Sequence, residues 1–223
     1  VPDAGGCGTN SNLDAKMSED FHPEYADMYA RAICYDLREA VERIQVVGGL
    51  RRKQPRVKGV SIIYISKVAQ EVKEDVSQHQ GDLFGGFEKS RPVKTKNVYL
   101  VEKKLPEIDY LSYRADENGD LITQVKHPFR FKAMICLPKS VEGPGLPVDL
   151  FPVQTDMEWG VALTLKTGPA RYAMRMESAA RRQGYRCDGH RLFKISDESW
   201  TPVLTEEDFF RLCHVSYVPP EER

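Results

Sequence analysis

The chain has 223 residues, a formal net charge of −1 and 41% hydrophobic residues, which fits a folded protein with one sizeable core or two small domains sharing an interface. No apolar run reaches membrane-spanning length, the most apolar stretch at 60–65 being strand-sized. Five cysteines, Cys7, Cys34, Cys136, Cys187 and Cys213, are widely spaced, odd in number and without a CxxC pair, which argues against a disulfide framework and a zinc site. Nothing in the opening VPDAGGCGTN has the layout of a signal peptide, so a cytoplasmic or virion-associated address is expected, not a secreted one. The near-neutral sum conceals local asymmetry: residues 51–58 hold Arg51, Arg52, Lys53, Arg56 and Lys58 with no acid, whereas 206–222 is acidic.

In chain order, residues 1–18 are rich in Gly, Ser and Asn and read as a flexible arm. From Pro23 onward Tyr25, Met28, Tyr29, Ala32, Ile33, Leu37, Ala40, Val41 and Ile44 recur at helical spacing. That predicts an amphipathic helix of about five to six turns, leading into a strand at 44–47. A glycine turn and the basic loop follow, then a β-branched run at 60–65, the pattern of a buried strand. A short helix is expected at 67–77, a turn in GDLFGG at 81–86 and a strand at 98–101. Residues 108–113, the Asn118-Gly119 turn and 121–125 predict a hairpin, with strands at 129–137 and 147–153 and a turn at 143–145. The period then changes. Residues 157–166 and 170–183 read as helices separated by Thr167-Gly168-Pro169, and strands at 185–187 and 191–193 flank Asp188-Gly189. Thr205 is placed to cap a last helix at 206–213 with acids in its first turn. This order gives an α+β chain, a mixed sheet in front and a smaller α/β module behind.

The most informative stretch is 46–66, VVGGLRRKQPRVKGVSIIYIS. Glycines let backbone N–H groups approach a phosphate and arginines present rigid forks of donors, so this strand, turn, loop and strand can cradle a triphosphate. The stretch is similar to the GSLRR-type loop of family X DNA polymerases. Three later segments carry the same resemblance in order. Pro147-Val148-Asp149-Leu150-Phe151 looks like the VDLF strand bearing the family's third catalytic aspartate, and Trp159-Gly160 through LKTGPARY resembles its WG…L.RTGS segment. EEDFFRL…YVPPEER is similar to the closing segment of the thumb in small phage and bacterial members. The resemblance implies a nucleotidyltransferase palm over 19–153 and a small α/β thumb over 154–223, without the N-terminal lyase and helix-hairpin-helix domains of larger members.

It also implies site residues. Gly48, Gly49, Arg51 and Arg52 would face phosphates, Gly49 standing where the family has a serine, and Gly168 and Tyr172 would border the nucleotide. Two-metal phosphoryl transfer needs several carboxylates, because Mg²⁺ takes hard oxygen ligands in octahedral geometry. The family sets two on the strand after the loop and a third on its neighbour. Here the first two positions are Gly59 and Ser61, and Asp149 alone is kept. Without that register, a lone strand aspartate reads as a hydrogen-bonded structural residue. Arg56 and Lys58 sit beside the lost pair and could replace part of the missing cations' charge. Gly168-Pro169 replaces a family Gly-Ser joined by a cis peptide, which proline would tend to preserve; an ordinary loop proline is the other reading. The family's nucleotide-contacting Asn falls on Ala173, and an Arg of vertebrate members falls on Glu177. On the 170–183 helix, Arg171, Arg175 and Arg182 lie within about 40° of one another, a stripe that is either a solvated face or a nucleic-acid contact. Tyr172, Met176, Ala179 and Ala180 would pack inward. The five histidines, His22, His79, His127, His190 and His214, are scattered and read as structural.

Three functions fit these residues. One is a catalytically degenerate family X-like protein that binds nucleic acid or a nucleoside triphosphate through the basic loop and helix, with no cofactor assigned and Mg²⁺ called for only if the chain is catalytic. Another is an active DNA polymerase or terminal nucleotidyltransferase holding Mg²⁺ through Asp149 and an acid the sequence does not place. The third is a structural protein, such as a viral assembly component, whose partners are proteins. None involves a membrane.

Overall fold

A computed structural model describes residues 20–74, 94–113, 131–135 and 145–223. The first helix, α1 (Pro23–Leu37), opens on a proline, tolerated there because the first-turn N–H has no intrahelical acceptor. Ala26, Ala30, Ile33 and Leu37 form its buried stripe. It stops earlier than the periodicity predicts: residues 38–40 turn, and β1 (Val41–Val47) follows. Val41, Ile44, Val46 and Val47 are β-branched and suit a strand as well as a helix, and antiparallel pairing with β2 (Val60–Ser66) selects the strand. Between them lies α2 (Gly48–Arg51), a single turn carrying the GGLR residues.

The segment expected as a helix at 67–77 is instead a strand, β3 (Val68–Glu74), paired antiparallel with β4 (Lys94–Tyr99). Its Ala, Gln, Glu and Lys favour helix locally, and the ladder with a distant segment overrides them. The strand expected at 98–101 is the end of β4, after which the chain enters α3 (Leu100–Lys104). Then come β5 (Leu111–Tyr113), β6 (Phe131–Ile135) and β7 (Leu146–Pro152). The main sheet has the order β1-β2-β7-β6-β5, with β2 and β7 parallel and the other neighbours antiparallel.

Strand β2 is buried on both faces, which explains its unbroken apolar run. Val60, Ile62 and Tyr64 join α1, Val148 and Leu150 in one cluster, while Ile63 and Ile65 join Val47, Phe151, Val153 and Trp159 in another. The second face is covered by α4 (Trp159–Thr167), through Trp159, Ala162 and Leu163. Val161 and Leu165 of the same helix belong to a third cluster, with Met176, Ala179 and Ala180 of α5 (Ala170–Arg182) and Phe209 and Phe210 of α6 (Glu206–Leu212). Between α5 and α6 lies a three-stranded sheet of β8 (Tyr185–Asp188), β9 (Arg191–Lys194) and β10 (Trp200–Thr201). The last of these is two residues long, too short to leave a periodic signature. Thr205 caps α6 as predicted: Asp208 N–H donates to its hydroxyl at 3.1 Å, and its own N–H donates to the Asp208 carboxylate at 3.2 Å.

Cys34, Cys187 and Cys213 are free thiols. Among the described residues no helix is long and apolar enough to cross a membrane. The arm at 1–18, the turns at 81–86 and 118–119, the strand at 121–125 and most of the turn at 143–145 lie outside the described residues, as do Cys7, Cys136, His79 and His127.

Candidate nucleic-acid interface

Three of the segments singled out in the sequence meet at one junction. Gly48 turns the chain out of β1 with φ +68°, and Arg51 and Arg52 leave the α2 turn toward the end of α4. The Arg51 guanidinium donates to both oxygens of Glu206, at 2.9 and 2.6 Å, and to the Thr167 hydroxyl at 2.6 Å. Arg52 donates to the Thr167 carbonyl. Glu206, at the start of α6, also accepts from Arg223 at 2.7 Å. The Glu206 side chain is 3% exposed, Arg51 17% and Arg223 0%, so this is a desolvated Arg–Glu–Arg triad rather than a surface pair. Rings of Phe210, Tyr172 and Tyr217 surround the Arg223 guanidinium at 5.2, 5.6 and 5.7 Å. Burial alone would raise the Glu206 carboxyl, but hydrogen bonds from Arg51 and Arg223 outweigh it and hold the group below its ordinary value. Arg51, which the loop pattern assigns to a phosphate, is therefore engaged inside the protein. Arg52 keeps no carboxylate partner among the described residues. Lowering of its pKa follows from burial and then from the neighbouring Arg223 charge.

Gly168 is packed by the ring of Tyr172, whose Cδ1 would lie 2.8 Å from an added Cβ. The Gly168–Pro169 peptide is trans, since there is no cis bond among the described residues; the expectation that proline preserves a cis turn does not hold. Pro169 instead serves as the residue before α5, where its carbonyl accepts from the N–H groups of Tyr172 and Ala173 at 2.8 and 3.0 Å.

At the positions where the resemblance would set metal ligands, β2 and β7 bring Ser61 and Asp149 opposite each other in parallel register. The alternation along each strand puts both on the face of Ile63 and Phe151, toward α4. Gly59 stands in the bend just before β2, and a Cβ there would be driven into the Pro147 carbonyl oxygen and lie 3.1 Å from the Pro147 side chain. The Ser61 side chain is packed beneath Gly48, 3.2 Å from where a Cβ would stand. Among the described residues no group of three or more His, Cys, Asp or Glu converges to hold a metal ion. Among the described residues, one carboxylate beside a serine and a closed glycine is fewer than the oxygen ligands that two Mg²⁺ ions take.

The predicted arginine stripe on α5 is present. Arg171, Arg175 and Arg182 are exposed and line one groove of about 410 Å³ with Tyr172, Met174, Met176, Ser178 and Ala179 of the same helix and Val215 and Val218 of the closing segment. Met176, Ala179 and Ala180 are buried, as the spacing predicts, Tyr172 and Ala173 are half-buried and Glu177 is exposed. Arg56 and Lys58 are exposed on the loop ahead of β2, outside this groove; Arg56 donates to the Asp20 carbonyl at 3.4 Å.

Residues 162–223 match the DNA polymerase beta thumb. The match covers most of α4, all of α5 and α6, the small sheet and the Arg223 end, and supports a relation to the polymerase beta-like family X. No curated protein matches the chain. Within the thumb match, sequence reasoning missed Glu206 and Arg223. Glu206 reads locally as one more acid favoured by a helix N-terminus, and Arg223 as part of a charged tail. Their role depends on Arg51, 155 positions from Glu206, and no local pattern carries that signal.

Proposed function

We propose that this chain is a catalytically degenerate relative of family X polymerases, with a palm-like sheet and a thumb-like module, that binds nucleic-acid phosphates and transfers no nucleotide. The observation that carries this reading is how unequally the arginines are engaged. Arg51 and Arg223 share Glu206, while Arg43, Arg186, Arg191 and Arg211 each hold a carboxylate. Arg171, Arg175 and Arg182 have no carboxylate partner among the described residues and converge on one groove in the thumb match. Guanidinium groups fixed on a helix without a counter-charge suit phosphate oxygens, which they meet with paired donors. Arg52, Arg56 and Lys58 extend the basic surface around the GGLRR loop. Gly59 and Ser61 remove the carboxylates that chemistry would need.

Fluorescence anisotropy with labelled DNA over a salt series tests the binding. Affinity should fall linearly on logarithmic axes, and Arg171→Ala/Arg175→Ala/Arg182→Ala should reduce the slope by about 3 if each arginine meets one phosphate. A triple variant with the wild-type slope would remove the helix from the interface. Primer extension with Mg²⁺ or Mn²⁺ should give no product; incorporation that Asp149→Asn abolishes would overturn the degenerate reading.

A further inference from the structure

We infer that the α5 groove takes an unpaired strand, with one base seated on its apolar floor while neighbouring phosphates lie on the arginine row. This rests on the phosphate reading above and adds which form of nucleic acid the site selects. The floor is made by Met176 and Ala179, both buried, and by Val215 and Val218, half-buried. Met174 stands on the rim with 64% of its surface exposed. A duplex offers a helix laid against it mainly phosphates and sugar edges, its bases remaining stacked inside, so it would meet the arginines and leave the floor wet. An unpaired strand offers both kinds of surface at once. Moving a base face from water onto methionine and valine is favourable in proportion to the apolar area covered, and methionine adapts to irregular shapes. The volume lies within the range of sites that bury a small flat ligand, about 300–1,000 Å³.

Recognition in this groove is tolerant of base identity. The one uncharged polar side chain apart from Tyr172 is Ser178, and its hydroxyl donates to the Met174 carbonyl at 2.7 Å. Apart from the arginines and the Tyr172 hydroxyl, which is buried, the lining carries no free donor or acceptor for a base edge, and a basic row beside a surface that covers a base face favours binding that tolerates any base, as in sequence-independent single-strand binding, with Met and Val here in place of stacking aromatics.

The test compares three labelled probes of equal length at one low salt concentration: a mixed-sequence single strand, the same backbone with abasic sites throughout, and a blunt duplex. The single strand should bind about tenfold tighter than the abasic strand, the equivalent of covering one base face, and tighter than the duplex. Val215→Trp, which fills the groove, should bring the single strand down to the abasic affinity and leave the abasic affinity unchanged. Met174→Ser, at an exposed position that folding tolerates, should narrow the same difference. Equal binding of the single and abasic strands overturns the base seat, as does tighter binding of the duplex. In either case the phosphate reading stands if the triple arginine variant still weakens all three probes. Absence of binding by every probe overturns both.

Discussion

On the degenerate reading proposed above, Gly59 stands where a carboxylate would be needed, and the backbone around it leaves no room for a side chain. The strand pair β2 and β7 closes on Gly59 so tightly that even a methyl group would meet the Pro147 carbonyl. Overpacking of this kind costs about 1–3 kcal/mol. Gly59→Ala should therefore lower the urea midpoint of unfolding, and Gly59→Asp/Ser61→Asp should not gain primer extension with Mn²⁺. A double variant with an unchanged midpoint and measurable incorporation would show that the strands can part and the metal site be rebuilt. Gly160 of α4 answers to the same physics. A Cβ there would run into the Thr205 carbonyl, and the Gly160 N–H donates to the Val203 carbonyl at 2.9 Å. The Trp-Gly pair of the sequence is thus a buried ring beside a point where α4 lies against the N-cap of α6.

At the scale of elements, one carboxylate ties α2 and α6 to Arg223, and Arg51 also holds Thr167 at the end of α4. Removing the carboxylate leaves two guanidinium groups largely out of water without a counter-charge, so Glu206→Ala should cost about 3–5 kcal/mol in equilibrium unfolding. Because the folded chain holds this carboxyl below its ordinary 4.5, its contribution is complete above that value and is lost as the pH falls through the folded one. A urea titration across pH 3–6 should show that loss in the wild type, and Glu206→Gln should remove it. An acid dependence identical in the two would mean that other carboxylates carry it. The elements were unequally legible in the sequence. The periods of α4 and α5, the Asp188-Gly189 hairpin and the Thr205 cap are local, and local chemistry sets them. The early end of α1 and the strand at 68–74 depend on partners far along the chain, as does the Arg51–Glu206–Arg223 triad. Arg51 looked like a phosphate ligand because its neighbours in sequence fit one; the carboxylate that engages it is invisible from there.

For the molecule as a whole, α4 belongs to two cores. Trp159, Ala162 and Leu163 complete the packing on the sheet, and Val161 and Leu165 complete that of the C-terminal module. Neither unit can lose the helix without exposing buried surface in the other, which predicts one cooperative transition. Trp159 is buried on the sheet side and Trp200 lies on β10, so tryptophan fluorescence and far-ultraviolet circular dichroism should melt together; separated midpoints would mean two independent folding units. The triad also has a consequence for synthesis. Glu206 leaves the ribosome 155 residues after Arg51, a delay of roughly 8 to 30 s at 5–20 residues per second. For that interval the nascent chain presents the GGLRR turn with Arg51 unmatched. A chain halted before α6 would keep Arg51 so, a cation open to ribosomal RNA or any nearby anion, until α6 supplies the carboxylate that closes it.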